Sequence, residues 1–264
     1  MAPDLYFALM LVVKMAVTAG FVLAATVTAE RAGPLVGGLV ATLPIGAGPV
    51  YVFLAFDHDA HFIAQSAVAS LTINGANVIF ALVYALLAQK RSLAVSMGLA
   101  FIVWLALALA IHSTTWSFAA AATVNVVAIS LSIWVTRPLR HVRMPVFHAR
   151  WTDLAMRALL VALLVGVVVT FSFQLGPSGS GLLAVFPVVL ISIMFILHRR
   201  VGGKPSAAVL ANAPLGLVGF GFACSVLYLT TEPFGTAVGL SLALATSVGW
   251  SMAVLLARRH GIAV

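Results

Sequence analysis

Lys14 sits between Leu11-Val12-Val13 and Met15-Ala16-Val17, and Arg157 stands 143 positions later inside a second apolar run. A lysine at mid-bilayer costs about 2.5–3.5 kcal/mol on insertion scales, so such cations mark candidate substrate or ion sites. The plainer alternative is snorkelling to the headgroups. Ten residues of helix give about 15 Å of rise, a long reach for Lys14; Arg157 is shallower and reaches more easily. If both face the midline, the space between them is cationic. It then suits an anionic or zwitterionic solute, or a lipid phosphate.

Pro44 and Pro187 are also 143 apart, each about ten residues into an apolar run, with Thr42 close before the first. Proline removes a backbone donor and clashes with the carbonyl four residues back, so both helices should kink or break. The freed backbone groups must face protein, water or substrate. Either the break only lets small faces pack, or it lines a substrate path. Asn74 and Asn77 share a helix face at i and i+3. They either bond between helices or line the same path, and Thr72, Asn125 and Asn212 pose the same choice. The set Lys14, Thr42, Pro44, Asn74, Asn77, Arg157 and Pro187 is therefore the candidate substrate site. Glu30 and Arg31, in a short turn before Gly33-Pro34, could form an ion pair at its mouth or be an ordinary polar turn.

Asp57-His58-Asp59-Ala60-His61 has residue types that can bind a divalent metal or sense pH. A solvated turn explains it equally, and no metal site is assigned. There is no Walker loop, metalloprotease His-Glu pair or nucleophile elbow, and no carboxylate pair within an apolar run. We expect neither an enzyme nor a cofactor.

The elements that hold these residues are transmembrane helices. The 264 residues are 63% apolar and 8% charged, with mean hydropathy +1.17, whereas soluble domains carry about 25% charged residues. Such a chain must be polytopic. The net charge of +8 comes from basic residues at the ends of apolar runs. They orient the chain and meet anionic lipid, and nucleic acid is not an expected partner. The single Cys224 precludes an intrachain disulfide. The first run is interrupted by Lys14 and lacks a basic start, so it is expected to be a retained span and not a cleaved signal.

A span needs about 20 apolar residues. Nine segments qualify, at about Leu5–Thr28, Pro34–Phe56, Phe62–Leu87, Ser92–Ile111, Trp116–Val135, Leu154–Phe173, Gly181–Leu197, Ser206–Leu229 and Phe234–Leu256. With nine crossings, Arg31, Lys90, Arg91, the arginines at 137, 140, 143 and 150, Arg199, Arg200, Lys204, Arg258 and Arg259 all share one side. Asp4, Asp57, Asp59 and Glu232 share the other. The positive-inside rule puts the N-terminus outside and the C-terminus in the cytoplasm.

The chain also repeats. Gly33, Pro34, Gly38, Leu39, Ala41 and Pro44 return as Gly176, Pro177, Gly181, Leu182, Ala184 and Pro187. Ser66-Ala67 returns as Ser206-Ala207, and Ala94-Val95 as Ala237-Val238. Residues 1–112 and 153–264 therefore read as two four-helix units. They are joined by a linking helix at 113–136 and a basic cytoplasmic linker at 137–152. Five crossings separate the units, so the second is inverted, a build known in secondary transporters. The expected fold is all-α and polytopic: two inverted four-helix repeats around a central helix.

The first unit resembles the GlpM-like family of small bacterial inner-membrane proteins through Lys14, Glu30, Arg31, Gly37, Leu39, Ala41, Leu43 and Pro44. Arg157, Gly181, Ala184 and Pro187 carry the looser resemblance of the second unit, which lacks the charged turn. The resemblance implies an inner-membrane location more than an activity. We expect a small secondary transporter or flippase for an anionic metabolite or lipid. The competing expectation is a non-transporting inner-membrane assembly or accessory protein. Membrane lipids are partners in either case, and a homo-oligomer is compatible with both.

Overall fold

A computed structural model describes residues 3–31, 46–139 and 151–259. These residues form ten α-helices and no strand. They are α1 (Pro3–Arg31), α2 (Ala47–Asp57), α3 (Ala60–Leu87), α4 (Leu93–His112), α5 (Phe118–Thr136), α6 (Trp151–Ala184), α7 (Val188–Val201), α8 (Gly203–Ala211), α9 (Ala213–Phe234) and α10 (Thr236–Arg259). A 3-10 turn, Arg137–Leu139, follows α5. Among the described residues, seven stretches are long and apolar enough to cross a membrane. The protein is thus all-α, with the make-up of a multi-pass membrane protein.

The core is built on α3. In its membrane window 78% of residues are buried, against 11% for α1 and 17% for α10. A helix apolar on every face can be buried on every face, or can face lipid, and both outcomes occur here. Helix α3 packs on α4, α5, α6, α8 and α9. Small residues permit this: a Cβ on Gly181 would overlap the Ser66 carbonyl, so the residue 177–184 segment lies directly on the α3 backbone. Close approach through small side chains is the usual means of helix association in lipid. Asp59 starts α3 by accepting the Phe62 amide at 2.8 Å, which satisfies one of the first-turn donors.

Two expected spans are interrupted. Helix α6 contains Gly176 at φ 63, a left-handed backbone that only glycine adopts readily. Pro177 opens the next helical piece, where its missing N–H costs nothing. That piece begins four residues earlier than the expected Gly181 and stops at Ala184; α7 resumes at Val188. The expected break at Pro187 is therefore present, with Pro187 as the N-cap of α7.

The expected span Ser206–Leu229 is two helices, α8 and α9, meeting at Asn212. The Asn212 amide shortens its bond to Val209 O, and its side chain takes over Ala208 O at 2.9 Å. Pro214 at the start of α9 cannot continue the α8 ladder, which is why the junction forms there. Glu30 and Arg31, expected in a turn, lie in the last turn of α1, in keeping with the high helix propensity of both types. Thr42, Pro44 and most of the basic linker lie outside the described residues. So does the first part of the second expected span, whose described remainder is α2.

Candidate functional site

Lys14 has a partner. Its Nζ lies 2.7 Å from Asp57 Oδ2 at the C-terminal end of α2, and 5.8 Å from the centre of the Phe53 ring. The Lys14 and Asp57 side chains are only 19% and 29% exposed. This partly desolvated pair compensates the cation that the sequence left unexplained. It also sets Lys14 level with the α2–α3 turn.

A second pair joins Arg200 Nη2 at the end of α7 to Asp153 Oδ2 at the start of α6, at 2.6 Å. Arg200 stands 143 positions after Asp57, and Arg157 stands 143 after Lys14. A literal copy would bring two arginines together. Asp153, one turn before Arg157 on α6, supplies the carboxylate instead.

The side chains of the α2–α3 turn diverge. Asp57 goes to α1 and Asp59 caps α3. His58 Nε2 lies 2.8 Å from Ser172 Oγ of α6, with its ring stacked on Phe62 at 3.7 Å and beside Phe173 at 4.3 Å. His61 Nδ1 lies 2.7 Å from Glu232 Oε1 at the end of α9. One turn thus ties four elements together. Burial holds the His58 imidazole below its usual range; the Asp57 and Asp59 carboxylates oppose the shift and Lys14 adds to it. Among the described residues, no three His, Cys, Asp or Glu side chains converge as a metal site would require.

The amides hold the broken helix. Asn77 Nδ2 donates to Val185 O at 2.8 Å, a carbonyl just beyond the end of α6, and Trp104 Nε1 donates to Asn77 Oδ1 at 2.7 Å. The Trp104 ring meets Phe186 edge-on at 5.1 Å. The break is therefore satisfied by protein, as a non-helical backbone at membrane depth requires. Ser70 Oγ donates to Gly181 O at 2.7 Å and lies 2.6 Å from the Tyr51 hydroxyl. With the Ser70 proton committed to Gly181, Tyr51 is the donor of that second bond. Asn74 Nδ2 donates to Leu217 O and Asn125 Nδ2 to Leu71 O, each at 2.9 Å. A Cβ on Gly221 would lie 2.9 Å from Asn125 Oδ1 and 3.7 Å from Asn74 Nδ2, so α3, α5 and α9 cross at that point.

Among the described residues, the members of the predicted set do not gather in one cavity. Asn77 reaches Val185 O at the helix break that ends at Pro187, Lys14 sits at the α2–α3 turn, and Arg157 lies near the start of α6. A cavity of about 480 Å³ lies between α1, α2, α9 and α10. Its walls include Val17, Phe21, Pro49, Phe53, Leu227 and Leu240. The few polar groups among its lining residues are occupied. Thr18 Oγ1 donates to Lys14 O, Ser241 Oγ to Ala237 O, and Tyr51 to Ser70.

Sequence reasoning missed this cavity, the role of Trp104 and a cluster on α3, α7 and α8. In that cluster the Tyr84 hydroxyl lies 2.9 Å from His198 Nδ1 and 2.7 Å from Ser206 Oγ. The available signal was a Tyr or Trp within an apolar run, whose polar tip must find a partner when buried. Compared with protein-family models, with curated proteins and with solved structures, the chain matches none.

Proposed function

We propose that this protein is a small inverted-repeat carrier or flippase of a bacterial inner membrane, moving an anionic metabolite or a lipid. The observation that carries this reading is the helix break at residues 185–187, in a stretch whose Gly-Pro and Pro landmarks also occur in the sequence 143 positions earlier. Discontinuous helices in corresponding positions of two halves are the sequence-readable mark of secondary transporters.

Helix lengths support nine crossings. The 51-residue stretch Trp151–Val201 would rise roughly 75 Å as one helix, more than twice the ~30 Å of hydrocarbon, so it counts as two. Helix α2, with the apolar sequence before it, makes the ninth.

The packing supports an inverted pair. Helices α3 and α4 pack together as α9 and α10 do, and α2 touches α3 as α7 touches α8. Helix α2 also meets α10 as α7 meets α4, and α5 lies against both α3 and α9. The ion pairs agree with the nine-crossing sorting: His61, two residues after Asp59, meets Glu232, and Arg200 meets Asp153, next to the basic linker. The GlpM-like resemblance of the first unit agrees with this membrane.

One observation favours a second reading. Lys14, Asn74 and Asn77 are engaged within the protein, which a structural accessory protein would also require. Reconstitution in proteoliposomes separates the two. Under the carrier reading, wild type moves a radiolabelled anion or flips a fluorescent lipid, and Pro187→Ala and Lys14→Met slow it. If wild type moves nothing while a control carrier does, and copurifies with a larger complex, the accessory reading takes its place.

A further inference from the structure

We propose that the cavity between α1, α2, α9 and α10 binds one acyl chain of a phospholipid with an amine-bearing zwitterionic headgroup, its phosphate on Lys14 and its ammonium on Asp57. This rests on the carrier reading for what the site is for, and names the lipid class within it; the binding site itself is tested separately.

The walls select the chain. The polar groups of Thr18, Tyr51 and Ser241 are spent on internal bonds, and the remaining lining is apolar apart from the buried Cys224 thiol. A hydrated metabolite would lose its water and find no partner there, at a cost of several kcal/mol. A hydrocarbon chain loses nothing polar. The entrance faces lipid: Val17 is 57% exposed, Phe21 49% and Leu244 54%, and they belong to α1 and α10, the least buried of the membrane windows.

The charges select the headgroup. Lys14 lies three and four residues before Val17 and Thr18 on the same face of α1, and Phe53 lies both under its ammonium and in the cavity wall. From Lys14 to Phe21 is about 10 Å of helix rise, so a chain laid along α1 runs from the level of the α2–α3 turn toward the hydrocarbon, as a lipid chain does. Lysine has three donors, and Asp57 occupies one. The pair as a whole is neutral, a cation beside an anion 2.7 Å apart. Its complement is a headgroup that is also a neutral pair. A lipid with only a phosphate would bring a second anion up to Asp57 without a counter-charge.

The test uses the full chain in lipid nanodiscs, with phosphatidylethanolamine carrying a photoreactive group on one chain, and mass spectrometry of the labelled peptides. Labels should concentrate on peptides covering residues 15–24, 47–54 and 240–245. Gly48→Leu puts a side chain into open space, since a Cβ there meets nothing within 4 Å. It should lower labelling about tenfold, the effect of losing roughly two buried methylenes. Leu244→Trp at the exposed rim should act in the same direction without touching the core, and Gly98→Leu on α4, also in open space, should have no effect.

Phosphatidylethanolamine should label more than phosphatidylglycerol or phosphatidylcholine. The double variant Lys14→Gln/Asp57→Asn should abolish that order while keeping the chain label. Even labelling of all lipid-facing helices, indifference to both Gly48→Leu and Leu244→Trp, or equal labelling by the three lipids overturns the proposal. Site-specific labelling without lipid flipping keeps the site and removes the carrier reading. Transport of a soluble anion without site-specific labelling does the reverse.

Discussion

Asp57 and Arg200 stand 143 positions apart, carry opposite charge, and each closes a helix with an ion pair: Asp57 to Lys14 at 2.7 Å, Arg200 to Asp153 at 2.6 Å. Each pair ties a helix end to the long helix that precedes it. The acid and the base have exchanged places between the two, so the link recurs although the residues do not.

The Lys14–Asp57 pair is expected to be strongly coupled. Lys14→Met alone leaves a partly buried carboxylate without its cation, and Asp57→Leu alone leaves the ammonium, so each should destabilise. The double variant should recover part of the loss, with a coupling energy of about 1–3 kcal/mol. Denaturant unfolding of the four proteins in one detergent measures it. Simple additivity would show that the pair contributes nothing.

Gly181 and Gly98 should respond oppositely to alanine. At Gly181 the new methyl meets the Ser66 carbonyl, a backbone atom that cannot move aside, and overpacking of this kind costs about 1–3 kcal/mol or more. At Gly98, inside α4, the methyl enters open space, and the helix gains up to about 1 kcal/mol of propensity. Thermal melting of the two variants should bracket wild type.

Asn77→Leu should cost about 1–3 kcal/mol, since Val185 O and Trp104 Nε1 both lose their partner. Trp104→Phe removes only one donor and should cost less. Because Trp104 and Phe186 are in contact, Asn77→Leu should also change the tryptophan emission. An unchanged melting temperature would show that the break does not depend on Asn77.

Acid should weaken the fold through His58. Its folded-state pKa is depressed by burial, so the unfolded chain takes up the proton first. The stabilisation is complete above the unfolded value near 6.5 and fades as pH falls through the folded one. The melting temperature of wild type should therefore drop between pH 7.5 and 5, and His58→Gln should flatten that drop. Asp57, Asp59 and Lys14 are the charged groups that face His58. His61, exposed and beside Glu232, is controlled by His61→Gln.

Much of this protein is local and was legible from the chain. Hydropathy marks helices wherever the backbone must satisfy itself in lipid, so α3, α4, α5 and α10 begin and end within a few residues of expectation. Gly176-Pro177 and Pro187 announce a turn and a break because φ freedom and a missing donor are properties of the residues themselves. What a polar side chain does is not local. Nothing in the apolar run around Lys14 names Asp57, 43 residues away, nor does Asn77 reveal that its amide meets Val185. Those assignments depend on which helix faces which, and that is decided by close packing around α3. The cavity is also a product of packing alone. Its lining residues are ordinary membrane residues, and only the packing of α1, α2, α9 and α10 brings them around one space.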